Sequence, residues 1–231
     1  MRAITFSFDD GVTQDERLVA LMRKYGLKGT FNLNTGIQDE SNCFEIKGIK
    51  IRRMNQEGLD ELYEGHEIAV HGLRHLDLTS CNTHDLEEEL LKDAENIERI
   101  YGTYPLGMAY PYGTYSEKVE EFLEKMGIVY ARGVVSSYGF GFDGNLLEYK
   151  PTCHFEDERL FEMAEKFLGL PNDEKALFYI WGHSYELDVN GSWERLERFF
   201  QMISDRDDIF YGTNIQCFKM FRREKFSAME S

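Results

Sequence analysis

Basic residues are scarce in this chain of 231 residues: 26 Lys and Arg stand against 42 Asp and Glu, a formal net charge of −16. A nucleic-acid or anionic-membrane binder needs a basic face, so this deficit excludes both partners and leaves a neutral, cationic or small-molecule one. Long apolar runs are also missing, and 29% of the residues are charged, which excludes an integral membrane protein. Cysteine is rare: Cys43, Cys81, Cys153 and Cys217 are irregularly spaced with no C-x-x-C pair. Neither a zinc knuckle nor a disulfide framework fits them, and they read as reduced thiols. The N-terminus shows no export signal and reaches the charged pair Asp9-Asp10 almost at once, which reads as cytoplasmic, although a chain cut from its leader would look the same. No linker, low-complexity tract or internal repeat divides the chain, and its length lies within the range of a one-domain α/β barrel, so a single domain over 1–231 is expected.

What is present is an alternation of short β-rich runs with amphipathic helical patterns, the mark of βα units around a parallel sheet. Residues 3–8 read as a strand, and Leu18, Leu21, Met22 and Tyr25 recur at helical spacing before Gly26. Strands are expected at 29–33, 67–70, 106–109, 128–131, 146–150, 177–181 and 209–211. Helical patterns intervene at 86–101, 160–167 and 196–203, and Thr114 with Glu117 reads as a capping box ahead of Val119, Phe122, Leu123 and Met126. Residues 36–53 are too long for a bare connection and read as a functional loop or a hairpin insertion.

In such barrels the chemistry lies just after the strands. Four places qualify: Asp9-Asp10-Gly11, His71-Gly72-Leu73-Arg74-His75, Tyr110-Pro111-Tyr112-Gly113 and Trp181-Gly182-His183. The i, i+4 spacing of His71 and His75 lets two imidazoles meet one ion from a helical turn, and an Asp9 or Asp10 carboxylate would complete an open three-ligand site. Successive residues of an extended chain point to opposite sides, so one aspartate on the metal and its neighbour free as a base is the natural division. Hydrolysis of an amide needs an activated water, a stabilised oxyanion and a proton for the amine, and this inventory supplies all three. A serine or cysteine nucleophile fits less well: there is no G-x-S-x-G elbow and no cysteine beside a base.

In order and spacing, Ser7-Phe8-Asp9-Asp10-Gly11, His71-x-x-x-His75, Tyr110-Pro111-Tyr112-Gly113 and Trp181-x-His183 resemble the successive motifs of the polysaccharide deacetylases, the NodB homology domain or carbohydrate esterase family 4. The resemblance implies an α/β fold, a distorted, TIM-barrel-like (β/α)7-type barrel. It implies Asp9 as catalytic base, Asp10, His71 and His75 as metal ligands, and His183 as general acid. It further implies the Tyr112 backbone N–H as oxyanion donor, with Trp181 and Tyr110 as substrate contacts. Zinc suits two histidines and a carboxylate with open positions, and cobalt, nickel or manganese can occupy the same donors.

The chain also departs from that pattern. The usual arginine two residues before the motif proline is Ala109; Arg132 is expected to hold Asp9 in its stead, with Arg74, or no arginine at all, as the alternatives. Gly72 and Leu76 replace a hydroxyl residue and a proline. The family's Asp-x-x-Asp-Trp stretch is absent between 133 and 150, leaving Asp143 as a candidate to orient His183, while Glu186 and Asp188 read as supporting or plain loop groups. His66 and Glu67 read as structural, His84 as a polar residue near a helix start, His154 as isolated, and Asp85–Glu89 as a solvated helix face. Tyr138, Phe140 and Phe142 form either a sugar-stacking loop or a cover for the barrel rim. The expected activity is removal of N-acetyl groups from an acetylated sugar or an oligo- or polysaccharide, with a soluble or small-oligosaccharide substrate favoured. A non-sugar amide hydrolase on the same site, or a carbohydrate-binding protein on an inactivated barrel, are the alternatives. The oligomeric state is not written in the sequence.

Overall fold

A computed structural model describes residues 1–222; residues 223–231, the tail of the expected domain, lie outside the described residues. In chain order, β1 (Arg2–Asp9), α1 (Asp15–Lys24) and β2 (Gly29–Leu33) open the fold. A hairpin of β3 (Cys43–Ile46) and β4 (Ile49–Arg52), α2 (Leu59–Leu62) and β5 (Glu67–Val70) follow. Next come α3 (Thr83–Leu86), α4 (Lys92–Tyr101), β6 (Gly107–Ala109), α5 (Glu117–Lys125) and β7 (Tyr130–Arg132). The last third comprises β8 (Cys153–His154), α6 (Leu160–Leu168), β9 (Ala176–Gly182), α7 (Tyr185–Val189), α8 (Trp193–Ile203), β10 (Ile209–Tyr211) and α9 (Asn214–Phe221).

Every pairing in the main sheet is parallel, in the order β7-β6-β5-β2-β1-β9-β8, with β10 on the first residues of β1. The sheet curls into a partial barrel, and a parallel bridge from Arg132 to Tyr149 adds to its β7 edge. This is the distorted (β/α)7-type barrel that the sequence implies. No helix of the described residues is long and apolar enough to cross a membrane.

The alternation along β1 explains where its functional end points. Ile4, Phe6 and Phe8 face outward into a cluster with Leu18, Val19, Phe178 and Phe199 beneath the helices. At roughly 1.5–3 kcal/mol for each large side chain buried, that row fixes the register of the strand. Thr5, Ser7 and Asp9 therefore face the barrel interior. There Thr5 donates to Asn214, and Ser7 accepts from Asn32 and Arg132. In β9, Phe178 and Ile180 join the outer cluster, which turns Trp181 inward by the same alternation.

Residues 36–53 contain the β3–β4 hairpin, turned at Lys47 and Gly48, both with positive φ as a tight two-residue turn requires. Two local expectations differ from the structure. Residues 146–150 are not a strand: Leu146–Glu148 form a 3-10 turn, and only Tyr149 pairs with the sheet. The capping box does not form either, because the left-handed turn at Tyr112 leaves Thr114 short of the helix. Its hydroxyl bonds Asp77 instead, and Ser116 precedes α5. Between α3 and α4, Glu87–Leu91 wind as a π-helix, a widened turn that frees the Glu89 carbonyl to accept the Leu73 N–H at 2.8 Å.

Candidate active site

At the C-terminal mouth of the barrel, Asp9 ends β1 with its carboxylate 2% exposed. Its Oδ1 accepts from Asn32 Nδ2 at 2.7 Å and from the wholly buried Arg132 guanidinium, so Oδ2 alone faces the open space. Burial acts to raise this carboxyl, but Arg132 together with His71 and His183 outweighs it and holds the pKa at about 2. Arg132 is further fixed by Ser7 Oγ at 3.0 Å and by the Trp181 ring, 4.7 Å from its guanidinium carbon. Arg74 instead points to the rim, where it pairs with Glu88 and Glu89.

Asp10 has φ +85°, so the chain turns sharply after Asp9 and both aspartates look into one space rather than to opposite sides. Its backbone carbonyl accepts from Gln38 and Arg53, and Arg53 also lies 3.1 Å from Oδ1. Burial acts to raise the Asp10 carboxyl, yet Arg53 and the surrounding histidines bring it below the usual range.

The segment carrying His71 and His75 is an irregular loop rather than the expected helical turn, with Gly72 and His75 both at positive φ. Its backbone is pinned on every side. His71 N donates to Leu33 O and Asp93 Oδ2, Asn34 Nδ2 donates to the carbonyls of His71 and Gly72, and Arg74 N donates to Glu89. His71 Nδ1 donates to the Ala109 carbonyl at 2.7 Å, which leaves Nε2 as the bare lone pair. That Nε2 is buried, has no hydrogen-bond partner, and lies 3.8 Å from Asp10 Oδ1. His75 Nε2 is also 3.8 Å from the same oxygen. Burial pushes the His71 imidazole down to about 4 and lowers His75 as well, so both rings present neutral nitrogens. One carboxylate oxygen and two neutral imidazole nitrogens within 4.8 Å of one another fit a divalent ion.

His183 follows β9, with Nε2 3.9 Å from Asp9 Oδ2. Burial disfavours its charge, but Glu186, Asp10 and Asp9 outweigh that and raise it to about 9. Trp181 lies 5.8 Å from it, ring to ring, with the indole N–H buried and unpartnered. Tyr112 caps the His75 ring at 4.6 Å and has φ +59°, making Asp10, His75 and Tyr112 three of the six non-glycine residues at positive φ among the described residues. Strain of this kind gathers at functional sites. Tyr110 does not reach the mouth: it is 1% exposed, stacks on Tyr115 and donates its hydroxyl to Leu147 O, so its side chain serves the core rather than a substrate. Asp143 is exposed and makes no contact with His183.

Sequence reasoning missed Asn32, Asn34, Arg53, Glu89 and Asp93. The two asparagines sit in and just after a strand, where the rule that found the motifs applies equally. The other three come from a loop and two helical stretches and carry no local signal.

Residues 1–131 match the sequence model of the family described as polysaccharide deacetylase. Over 122 residues the chain is 25% identical to the peptidoglycan-N-acetylglucosamine deacetylase PgdA of Listeria monocytogenes, covering 52% of this chain and 23% of that one. Over 114 residues it is 29% identical to the peptidoglycan deacetylase of Helicobacter pylori, covering 49% and 34%. The chain thus spans between 23% and 34% of the length of these relatives. In fold it resembles the chitin deacetylase of Colletotrichum lindemuthianum, with a TM-score of 0.59 at 19% identity over 93% of this chain and 86% of that one.

Proposed function

Because the chain belongs to the polysaccharide deacetylase family, we propose that it is a divalent-metal-dependent hydrolase that removes N-acetyl groups from an acetylated sugar or oligosaccharide. The observation that carries this reading is the buried, unpartnered His71 Nε2 beside Asp10 Oδ1, with an ionised Asp9 next to it. Asp10, His71 and His75 would hold the ion, with zinc the best fit to this donor set and cobalt, nickel or manganese the other occupants. When bound, it supplies Lewis acidity toward the acetyl carbonyl and toward water.

Asp9 takes the proton of the attacking water at Oδ2, since Arg132 and Asn32 already occupy Oδ1. Arg132 is a positioning residue that keeps Asp9 ionised and aimed. The Tyr112 backbone N–H donates to the developing oxyanion. His183, charged at neutral pH, gives its Nε2 proton to the departing amine, and Trp181 walls the space for the acetyl methyl. The net charge of −16 disfavours polyanionic substrates and is compatible with a neutral glycan.

The test is metal analysis followed by acetate release from N-acetylated chitooligosaccharides, before and after chelation, with Asp9→Asn as the inactive control. Bound metal with no acetate from any acetylated sugar would assign the site to a non-sugar amide. Absence of both metal and acetate would favour a binding protein.

A further inference from the structure

A histidine that must give up a proton at Nε2 needs a partner that keeps Nδ1 protonated, and the family's usual aspartate for that task has no counterpart between 133 and 150. The carboxylate nearest to His183 is Glu186, three residues on in α7. One of its oxygens, Oε2, gathers three nitrogens. It accepts the His183 backbone N–H at 3.0 Å, lies 3.4 Å from His183 Nδ1, and lies 3.0 Å from His154 Nε2. The His154 contact has a defined direction. His154 Nδ1 accepts the Glu156 N–H at 3.1 Å, so the ring proton sits on Nε2 and is donated to Glu186. β8 brings His154 into register with Trp181, and Gly182 lets it approach: a Cβ there would lie 2.2 Å from the Phe155 ring and 2.8 Å from His154 Nε2.

We propose that Glu186, itself held by His154, is the positioning carboxylate for His183. This rests on reading His183 as the proton donor. The Nδ1–Oε2 approach is an electrostatic contact, Nδ1 being buried without a hydrogen-bond partner. A carboxylate on that side favours the proton on Nδ1, so the mobile proton belongs to Nε2, the atom facing Asp9. His154 is suited to its task because a neutral N–H donor fixes the carboxylate without cancelling its charge. An arginine there would do to Glu186 what Arg132 does to Asp9. The other ionisable groups facing His183 are Asp9 and Asp10 at the end of β1, His75 on the loop after β5, and Tyr185, whose ring is 5.0 Å away on α7.

His154, His183 and Glu186 are also close enough together to gather a cation, so the test must separate the two uses. It compares zinc content, imidazole 15N spectra and steady-state kinetics of the zinc-loaded wild type with those of Glu186→Gln, Glu186→Asp and His154→Gln. One zinc per chain is expected in all four. Neutral His183 should be the Nδ1–H tautomer in the wild type and a mixture in Glu186→Gln, with kcat down about 10–100-fold and KM nearly unchanged. Glu186→Asp should restore part of both, and His154→Gln should lose less than Glu186→Gln. An unchanged tautomer in Glu186→Gln, or a second zinc that this variant loses, would overturn the proposal. The spectra need no turnover, so a wild type inactive on acetylated sugars would defeat the functional reading and still leave this one decided.

Discussion

The loops that carry Asp10, His71 and His75 are tied down largely through backbone groups, with Arg53 also paired to Asp10, whereas Asp9 and His183 each have a charged partner beside the side chain. In the first half, loop carbonyls and N–H groups are tied to Leu33, Asn34, Gln38, Glu89 and Asp93. In the second, one guanidinium fixes the Asp9 carboxylate and one carboxylate lies against the His183 imidazole. A ligand set needs nitrogens presented at fixed points, which many small bonds secure redundantly. A proton-transfer pair needs defined charge and tautomer, which only ionisable neighbours supply.

Breaking the first half at a ligand has the largest expected effect. His71→Ala should leave less than about a tenth of an equivalent of metal by elemental analysis and no measurable acetate release. In the second half, Arg132→Ala strands a buried carboxylate, an expected loss of about 3–5 kcal/mol by urea denaturation, with turnover down about 100-fold. Arg74→Ala, a rim residue, should keep turnover within about tenfold of wild type. A more harmful Arg74 variant would break the comparison.

A smaller effect follows from Asp15, which accepts from Ser184 and Tyr63 behind His183 and which burial pushes up to about 7. Its folded value lies above the unfolded one of 3.8. The stability tied to its protonated form is therefore complete below about pH 4 and lost as pH rises through 7. Asp15→Asn should flatten that decline by up to about 1.4 kcal/mol per pH unit in denaturation curves taken between pH 4 and 7. Asp93, behind His71 and also raised to about 7, should behave alike, so the two halves share this one response. The smallest effect is expected for Tyr112→Phe, with kcat within about twofold, because the proposed contact there is a backbone N–H.

The fold was legible wherever a strand reads as an apolar run, as in β9, or as a strict alternation, as in β1, and wherever helices carry one apolar stripe, as in α4 and α8. The residues that the structure gathers at the barrel mouth were legible where they end a strand or follow it directly: Asp9 and Arg132 end β1 and β7, and Asp10, His71 and His183 come next after β1, β5 and β9. Long-range partners were not. Nothing in the local pattern sends Arg53 back across the hairpin to Asp10, or brings His154, which read as isolated, against Glu186. Tyr110 was misplaced because a motif position does not reveal which way a ring turns, and here the ring turns into the core.

The widened turn at Glu87–Leu91 gives this helix an unusual sensitivity to length. The wide turn holds one residue more than ordinary winding would over the same rise, so deleting one residue there would restore ordinary winding and leave both flanks facing as they do. What would be lost is the Glu89 carbonyl turned out to the Leu73 N–H, and with it a tie to the loop that carries His71 and His75. Such a one-residue deletion should yield a more regular, more heat-resistant helix in a protein that releases its metal more readily. The spare residue in this turn is thus an adjustment screw, exchanging helical regularity for grip on a loop that lies outside the helix altogether.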